Sequence, residues 1–515
     1  MDSTVTIGVG PSSRAEVVAV ARHGAAVRLG DDAVAAIGSS RSFVDDLASA
    51  VTPTYGISTG FGALATRHIP TAKRAQLQRS LIRSHAAGSG PEVETEVVRA
   101  LMLLRLSTLA TGRTGIRLET ARALARLLTA GVTPIVHEHG SLGCSGDLAP
   151  LAHCALALIG EGEVRDPRGV RRPAAGVLAE IGLEPVELAE KEGLALVNGT
   201  DGMLGMLVLA LDDLDRLLKV ADIGAAMSVE GLLGTDRVFA ADLQDLRPHP
   251  GQAQSAANLR AMLADSGVVD SHRGPDCNRV QDAYSLRCAP QVLGAARDTA
   301  AYAAVVAERE LASAIDNPVV LADGRVESNG NFHGAPIAYV LDFLAIPVAD
   351  VASMSERRTD RFLDMTRNAG LPPFLADDPG VDSGHMIAQY TQAAIVSELK
   401  RLASPASVDS IPSSAMQEDH VSMGWSSARK LRRSIDGLTR VLAIEILTAA
   451  RALDLRAPLA PSPATAAVIA VLREQVAGPG PDRHLAPEIE AAVGLVASGA
   501  FVTAAESALT EGLAY

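Results

Sequence analysis

The chain is 515 residues long, with 48% hydrophobic, 21% charged and 3% aromatic residues and a formal net charge of −14. The acidic balance excludes nucleic acid as a main partner, because phosphate binding needs clustered Lys and Arg. Scarce aromatics beside abundant Ala and Leu disfavour sheet and point to a mainly α protein. The four cysteines, Cys144, Cys154, Cys277 and Cys288, form no CxxC pair. That argues against a zinc site and fits a reduced, cytoplasmic protein. No secretory leader is visible in residues 1–10, and the longest uncharged stretches, 457–472 and 491–505, fall short of a membrane span.

In chain order, residues 12–50 read as two short helices broken near Gly30-Asp31-Asp32, followed by a glycine-rich loop over 52–63. Helical periodicity returns from about 70 to 130. Pro134 introduces a loop over 140–147, and 148–161 reads as a buried helix beginning just after it. A helix N-terminus there brings partial positive charge and free N–H groups beside the loop. Residues 163–190, richer in Gly, Pro and charge, read as a surface excursion. From 202 to 219, Leu204, Leu207, Val208, Leu211, Leu214 and Leu218 keep helical spacing. Further long helices are expected over 291–315, 337–362 and 427–455. Helices of that length are marginal alone, so a long-helix bundle is the natural core. The reading divides the chain into a loop-rich N-terminal region over 1–200, a central bundle over 201–455 and a C-terminal helical region over 456–515.

The loop string Gly140-Ser141-Leu142-Gly143-Cys144-Ser145-Gly146-Asp147 lets a backbone attack itself. The amide nitrogen of Gly146 can reach the carbonyl carbon of Cys144, and a residue without Cβ bends most easily into that turn. Loss of water closes a five-membered ring, and loss of the Ser145 hydroxyl leaves an exocyclic methylene. The product is an electrophile that no unmodified side chain provides. Other strings carry polar groups in suggestive settings. Tyr55 lies in Tyr-Gly-Ile-Ser-Thr-Gly-Phe-Gly, either packed on its own turn or open to a ligand. His85 follows Ser84 near a helix end, in a structural or a binding role. Asn198, in Leu-Val-Asn-Gly-Thr, is a capping residue or a ligand contact. Gln281, Tyr284 and Arg287 repeat at a spacing of three, and Arg287 offers a planar fork suited to a carboxylate. Phe332 lies in a turn by composition, Ser328-Asn329-Gly330-Asn331-Phe332-His333-Gly334. In Gln417-Glu418-Asp419-His420, a carboxylate placed in an apolar pocket would suit an imidazole N–H and leave a phenyl ring unanswered. His137-Glu138-His139 gives little support for a metal, having no third ligand in sequence.

The 140–151 string resembles the prosthetic-group loop of the aromatic amino acid ammonia-lyases, with Cys144 where Ala is usual. The Tyr55 loop, the 280–288 segment and the strings at 198, 332 and 417–424 match that family in order, with Ser58 and Met416 each standing where many members have Asn. Ser84-His85 resembles the histidine-specific members and also some tyrosine aminomutases, while Gln417-Glu418 resembles the histidine-specific members rather than the phenylalanine lyases; a tyrosine or phenylalanine lyase or aminomutase on the same scaffold is the alternative. The resemblance implies a fold of the fumarase/aspartase type and a homotetramer whose active sites are shared between subunits. It implies a methylidene-imidazolone formed autocatalytically from Cys144, Ser145 and Gly146, with no external cofactor and no metal. It implies L-histidine as substrate, deaminated to trans-urocanate and ammonia. By the same resemblance Tyr55 is the base that takes a β-proton, with Glu418 sharing that role and Tyr284 joining the catalytic group. Arg287 anchors the carboxylate, His85 and Glu418 hold the imidazole, Asn198 holds the prosthetic group and the amine, Phe332 closes over the ring system, and Gln281 and Gln417 complete the substrate contacts.

Overall fold

The helix Thr95–Ala110 is apolar on nearly every side, and it is buried on nearly every side. The helices Arg14–His23 and Leu118–Thr129 pack against it. Its two interior arginines are answered by backbone: Arg99 donates to the carbonyls of Val20 and Leu128, and Arg105 to those of Ala195 and Asn198. In this computed structural model the described residues are 4–514, apart from 50–53, 55, 61–66, 275–276 and 278–279. The architecture is mainly α, as the composition predicts.

The chain forms two compact units. The first gathers Met1–Leu209, Ala304–Asp342 and Pro405–Arg429. Within it the helices Arg74–His85, Leu148–Leu158 and Glu192–Val197 pack on one another, and Gln78 ties the first to the third by accepting the Gly193 N–H at 2.8 Å. Two of their ends carry expected site residues, His85 closing the first and Asn198 following the third, and Asp147, at the end of the 140–147 loop, precedes the second. The unit also holds small strand pairs that periodicity did not reveal. Thr4–Ile7 runs parallel to Ala26–Leu29, and Ser89–Glu92 antiparallel to His137–His139. The expected surface excursion contains the strands Glu163–Arg165 and Arg171–Pro173 and the helix Ala174–Glu180.

The second unit gathers Ala210–Ala303, Phe343–Ser404 and Lys430–Tyr515. Its long helices bury ion pairs whose carboxylates accept several hydrogen bonds each, the condition under which buried charge is tolerated. Glu445 accepts from Arg358 at 2.5 and 2.8 Å and from Ser228 at 2.8 Å. Asp222 accepts from Ser255 and Asn258 at 2.5 and 2.7 Å and from Arg297.

The long helices begin and end close to the expected bounds, at Asp201–Gly231, Ala289–Leu311, Ala335–Leu363 and Gly424–Asp454. The first runs twelve residues past residue 219, where burial on all sides replaces the amphipathic pattern. The helix Ala335–Leu363 is long and apolar enough to cross a membrane, with a window of mean hydropathy 1.7, although 61% of that window is buried inside the protein. Uncharged runs passed over it because Asp342 and Asp350 interrupt them.

Candidate active site

The loop over 140–147 is held by backbone contacts that leave no room for side chains at two positions. Gly146 has φ +75°, and a Cβ there would lie 1.9 Å from the Gly199 carbonyl oxygen. That carbonyl accepts the Asp147 N–H at 2.7 Å. Gly143 has φ +66°, and a Cβ there would meet Ser422 Oγ at 2.2 Å. Ser422 Oγ donates to the Gly143 carbonyl at 2.9 Å, and the Met423 N–H to that of Leu142 at 2.9 Å. The segment after Glu418 is thereby clamped onto the loop.

Asp147, which the sequence reading left without a role, is the loop's anchor. Its Oδ2 accepts the Gly202 and Met203 N–H groups at 2.9 Å each, capping the start of the helix Asp201–Gly231. Its Oδ1 accepts from Ser141 at 2.9 Å. Complete burial pushes its carboxyl up to about 7. Arg105, also missed, fixes the Asn198 segment: it donates to the Asn198 carbonyl at 2.9 Å and pairs with buried Asp201 at 2.5 Å. Asn198 caps the C-terminal end of Glu192–Val197, not the N-terminus of the next helix as its sequence position suggests. Its Nδ2 donates to the Asn317 carbonyl at 2.8 Å, and its buried Oδ1 has no partner among the described residues.

Glu418 stands at the end of a tight hairpin. Ser413 exchanges backbone hydrogen bonds with it at 2.9 and 3.3 Å, and Ser413 Oγ donates to Glu418 Oε2 at 2.9 Å. The intervening Ser414, Ala415 and Met416 have φ of 51°, 54° and 68°. The carboxylate is felt by two expected site residues. Burial, opposed in part by Glu418, lowers His85, which keeps its imidazole neutral. Burial, reinforced by Glu418, pushes the Cys144 thiol up to about 12, so it stays protonated and non-nucleophilic. Gln417 is exposed and Phe332 half-buried. The turn of Phe332 is tied to this segment by the stacked rings of His333 and His420, 5.5 Å apart. A Cβ at Gly334 would meet Met203 Sδ at 2.6 Å.

Tyr55 lies outside the described residues. Its neighbour Gly56 turns at φ +76°, with its Cβ position 2.9 Å from Leu194 and 3.1 Å from Pro318. Those two side chains flank the segments that hold Asn198.

The first unit thus carries His85, Cys144, Ser145, Gly146, Asn198, Phe332, Gln417 and Glu418. Gln281, Tyr284 and Arg287 belong to the second. Only Tyr284 and Arg287 share the short helix Tyr284–Arg287, and Gln281 precedes it outside any helix, so the expected three-residue helical repeat holds for the last pair alone. There the Arg287 guanidinium lies 4.6 Å over the Tyr284 ring. Arg358 holds the Ser285 carbonyl at 3.2 Å, and Asp282 accepts the Thr235 N–H at 2.7 Å. Tyr284 is 70% exposed, while Arg287 Nε is buried without a partner among the described residues. A cavity of about 310 Å³ opens beside Gln281, lined also by Arg237, His272 and Arg273.

Comparison with known proteins places this geometry. The profile of the aromatic amino acid lyases matches residues 13–474. Histidine ammonia-lyase of Streptomyces avermitilis is 66% identical over 98% of both chains, and that of Sorangium cellulosum 50% identical over 97% of this chain and 98% of its own. Among solved structures, tyrosine aminomutase from Streptomyces globisporus superposes with a TM-score of 0.93 at 38% identity, covering 99% of this chain and 100% of its own. Histidine ammonia-lyase from Trypanosoma cruzi gives 0.90 at 38% identity, covering 99% and 96%.

Proposed function

This chain belongs to the aromatic amino acid lyase family, and we propose that its reaction is that of a histidine ammonia-lyase, the release of ammonia from L-histidine with formation of trans-urocanate. Fold similarity does not separate the lyases from the aminomutases, since both superpose closely. The observation that carries the choice is Glu418: a carboxylate fixed by Ser413 and close enough to influence both His85 and Cys144. Such a group is answered by an imidazole N–H, whereas a phenyl ring would strand its desolvated charge.

The residues present fit a methylidene-imidazolone made from Cys144, Ser145 and Gly146. The Gly146 turn excludes any Cβ, the buried Asn198 Oδ1 is unpaired among the described residues, and burial raises the Asp147 carboxyl next to the loop. When formed, the group supplies an electrophile that turns the substrate amine into a leaving group. Asn198 holds that group. His85, neutral, and Glu418 grip the imidazole ring, and Phe332 closes over it. Arg287 anchors the substrate carboxylate with the help of Gln281, and Gln417 completes the polar lining. Tyr55 takes the weakly acidic β-proton, with Glu418 able to share it and Tyr284 in support.

The assembly we propose is a cytoplasmic homotetramer with active sites shared between subunits. Support comes from the exposure of Tyr284 beside Arg287 Nε, which has no partner among the described residues. Support also comes from Tyr339, Phe343 and Ile346, exposed on one face of the helix Ala335–Leu363, since apolar rows of that kind mark interaction surfaces. Purified protein incubated with L-histidine, L-tyrosine or L-phenylalanine tests the reaction through near-ultraviolet absorbance of the product. A rise with histidine alone is expected. A rise only with tyrosine or phenylalanine would overturn the assignment of His85 and Glu418.

A further inference from the structure

The helix Leu148–Leu158 starts directly after the cyclising loop. On its second turn stands half-buried His153, whose Nε2 lies 3.1 Å from the N–H of Gly88. A backbone amide only donates, so Nε2 carries the lone pair and the ring proton sits on Nδ1. Burial, with the His137 ring edge-on at 5.5 Å, pushes His153 down to about 4. It therefore stays a neutral acceptor across the working range. Gly88 lies three residues past His85, the last residue of its helix, and the backbone there has little slack. A Cβ at Gly88 would lie 3.0 Å from His153 Nε2 and 3.2 Å from the His139 carbonyl, and one at Gly140 would lie 3.1 Å from Gly88 Cα. One rigid helix thus carries the cyclising loop at its start and, five residues on, the acceptor that holds the backbone beside His85.

We propose that His153 is a positioning residue for substrate recognition: its Nε2 holds the Gly88 amide and so sets the place of the His85 ring relative to Ser145. The proposal rests on His85 contacting the substrate ring. His153 touches neither substrate nor prosthetic group, so its removal should act on substrate binding and spare both ring formation and the chemical step.

The test compares His153→Leu, which has no acceptor, with His153→Gln, whose Oε1 reaches about as far as Nε2. In the full-length protein His153→Leu should raise KM by roughly tenfold, about what one buried hydrogen bond is worth. Its kcat and the mass of the loop peptide should stay close to wild type, and His153→Gln should recover most of the lost affinity. Hydrogen exchange of the peptide spanning Ala86–Gly88 should quicken in the Leu variant and return in the Gln variant, a readout that needs no turnover. An unchanged KM in His153→Leu, or a Gln variant no better than Leu, overturns the proposal. If the Leu variant does not fold, His153→Asn, too short to reach Gly88, replaces it, and equal KM and exchange in the Asn and Gln variants overturn the proposal. KM is read on whichever amino acid the wild type deaminates, so an error in the histidine assignment shows separately in the wild type's choice of substrate.

Discussion

Two turns in the first unit solve the same backbone problem in opposite ways. The loop over 140–147 reaches left-handed backbone with glycines, at Gly140, Gly143 and Gly146. The hairpin before Glu418 reaches it with Ser414, Ala415 and Met416, none of them glycine. In the loop the conformation comes from the residue type and costs little. In the hairpin each residue carries about 1–2 kcal/mol of steric cost, and the Ser413–Glu418 bonds must impose the shape from outside. The loop therefore holds its geometry whatever occupies the site. The hairpin is an imposed shape, suited to a part whose task is to recognise a ligand rather than to build a bond.

Breaking the loop's chemistry should have the largest effect. In the proposed reading Ser145→Ala removes the hydroxyl whose loss would make the electrophile, and it leaves the backbone free to adopt its turn. Turnover should fall by about a thousandfold or more with circular dichroism unchanged, and near-normal activity would remove the loop from the mechanism. Breaking the hairpin's function comes next. In the proposed reading Glu418→Ala removes the carboxylate that grips the substrate ring, and kcat/KM for L-histidine should drop by about 30- to 100-fold, with the loop peptide mass unaltered. The smallest effect sharpens the contrast in strain. Met416→Asn places a residue that tolerates left-handed backbone where Met now sits at φ 68°. The midpoint of chemical denaturation should rise by an amount equivalent to about 0.5–1 kcal/mol. A lower midpoint would mean that the hairpin carries no strain.

The same contrast explains what the sequence made legible. The loop reads directly because its geometry is written in residue types: glycines, a small residue, Ser and Asp. The long helices read because burial of one stripe sets a period, and their ends fall near the expected positions. The strand pairs were invisible because four residues are too few for an alternating pattern. The helix Met386–Leu402, with Ile387 and Tyr390 exposed among its apolar residues, has no clean stripe. Candidate site residues are legible where a motif names them, as with His85, Ser145 and Glu418. Those that work through a contact distant in sequence were missed: Arg105 on Asn198, Asp147 on Gly202 and Met203, His153 on Gly88. Ser413 escaped for another reason, since its hydroxyl reaches Glu418 only because three left-handed residues fold the hairpin back. Gln281 was misplaced because spacing assumed a helix that begins only at Tyr284.

The central claim is that the backbone over Cys144, Ser145 and Gly146 closes on itself, and that only glycine at 146 permits it. High-resolution mass measurement of the proteolytic peptide containing residues 140–147 tests it most directly, with Gly146→Ala beside the wild type. The account predicts a wild-type peptide lighter than its sequence by two waters and a variant peptide of full mass. A wild-type peptide at full mass in protein that deaminates L-histidine would contradict it.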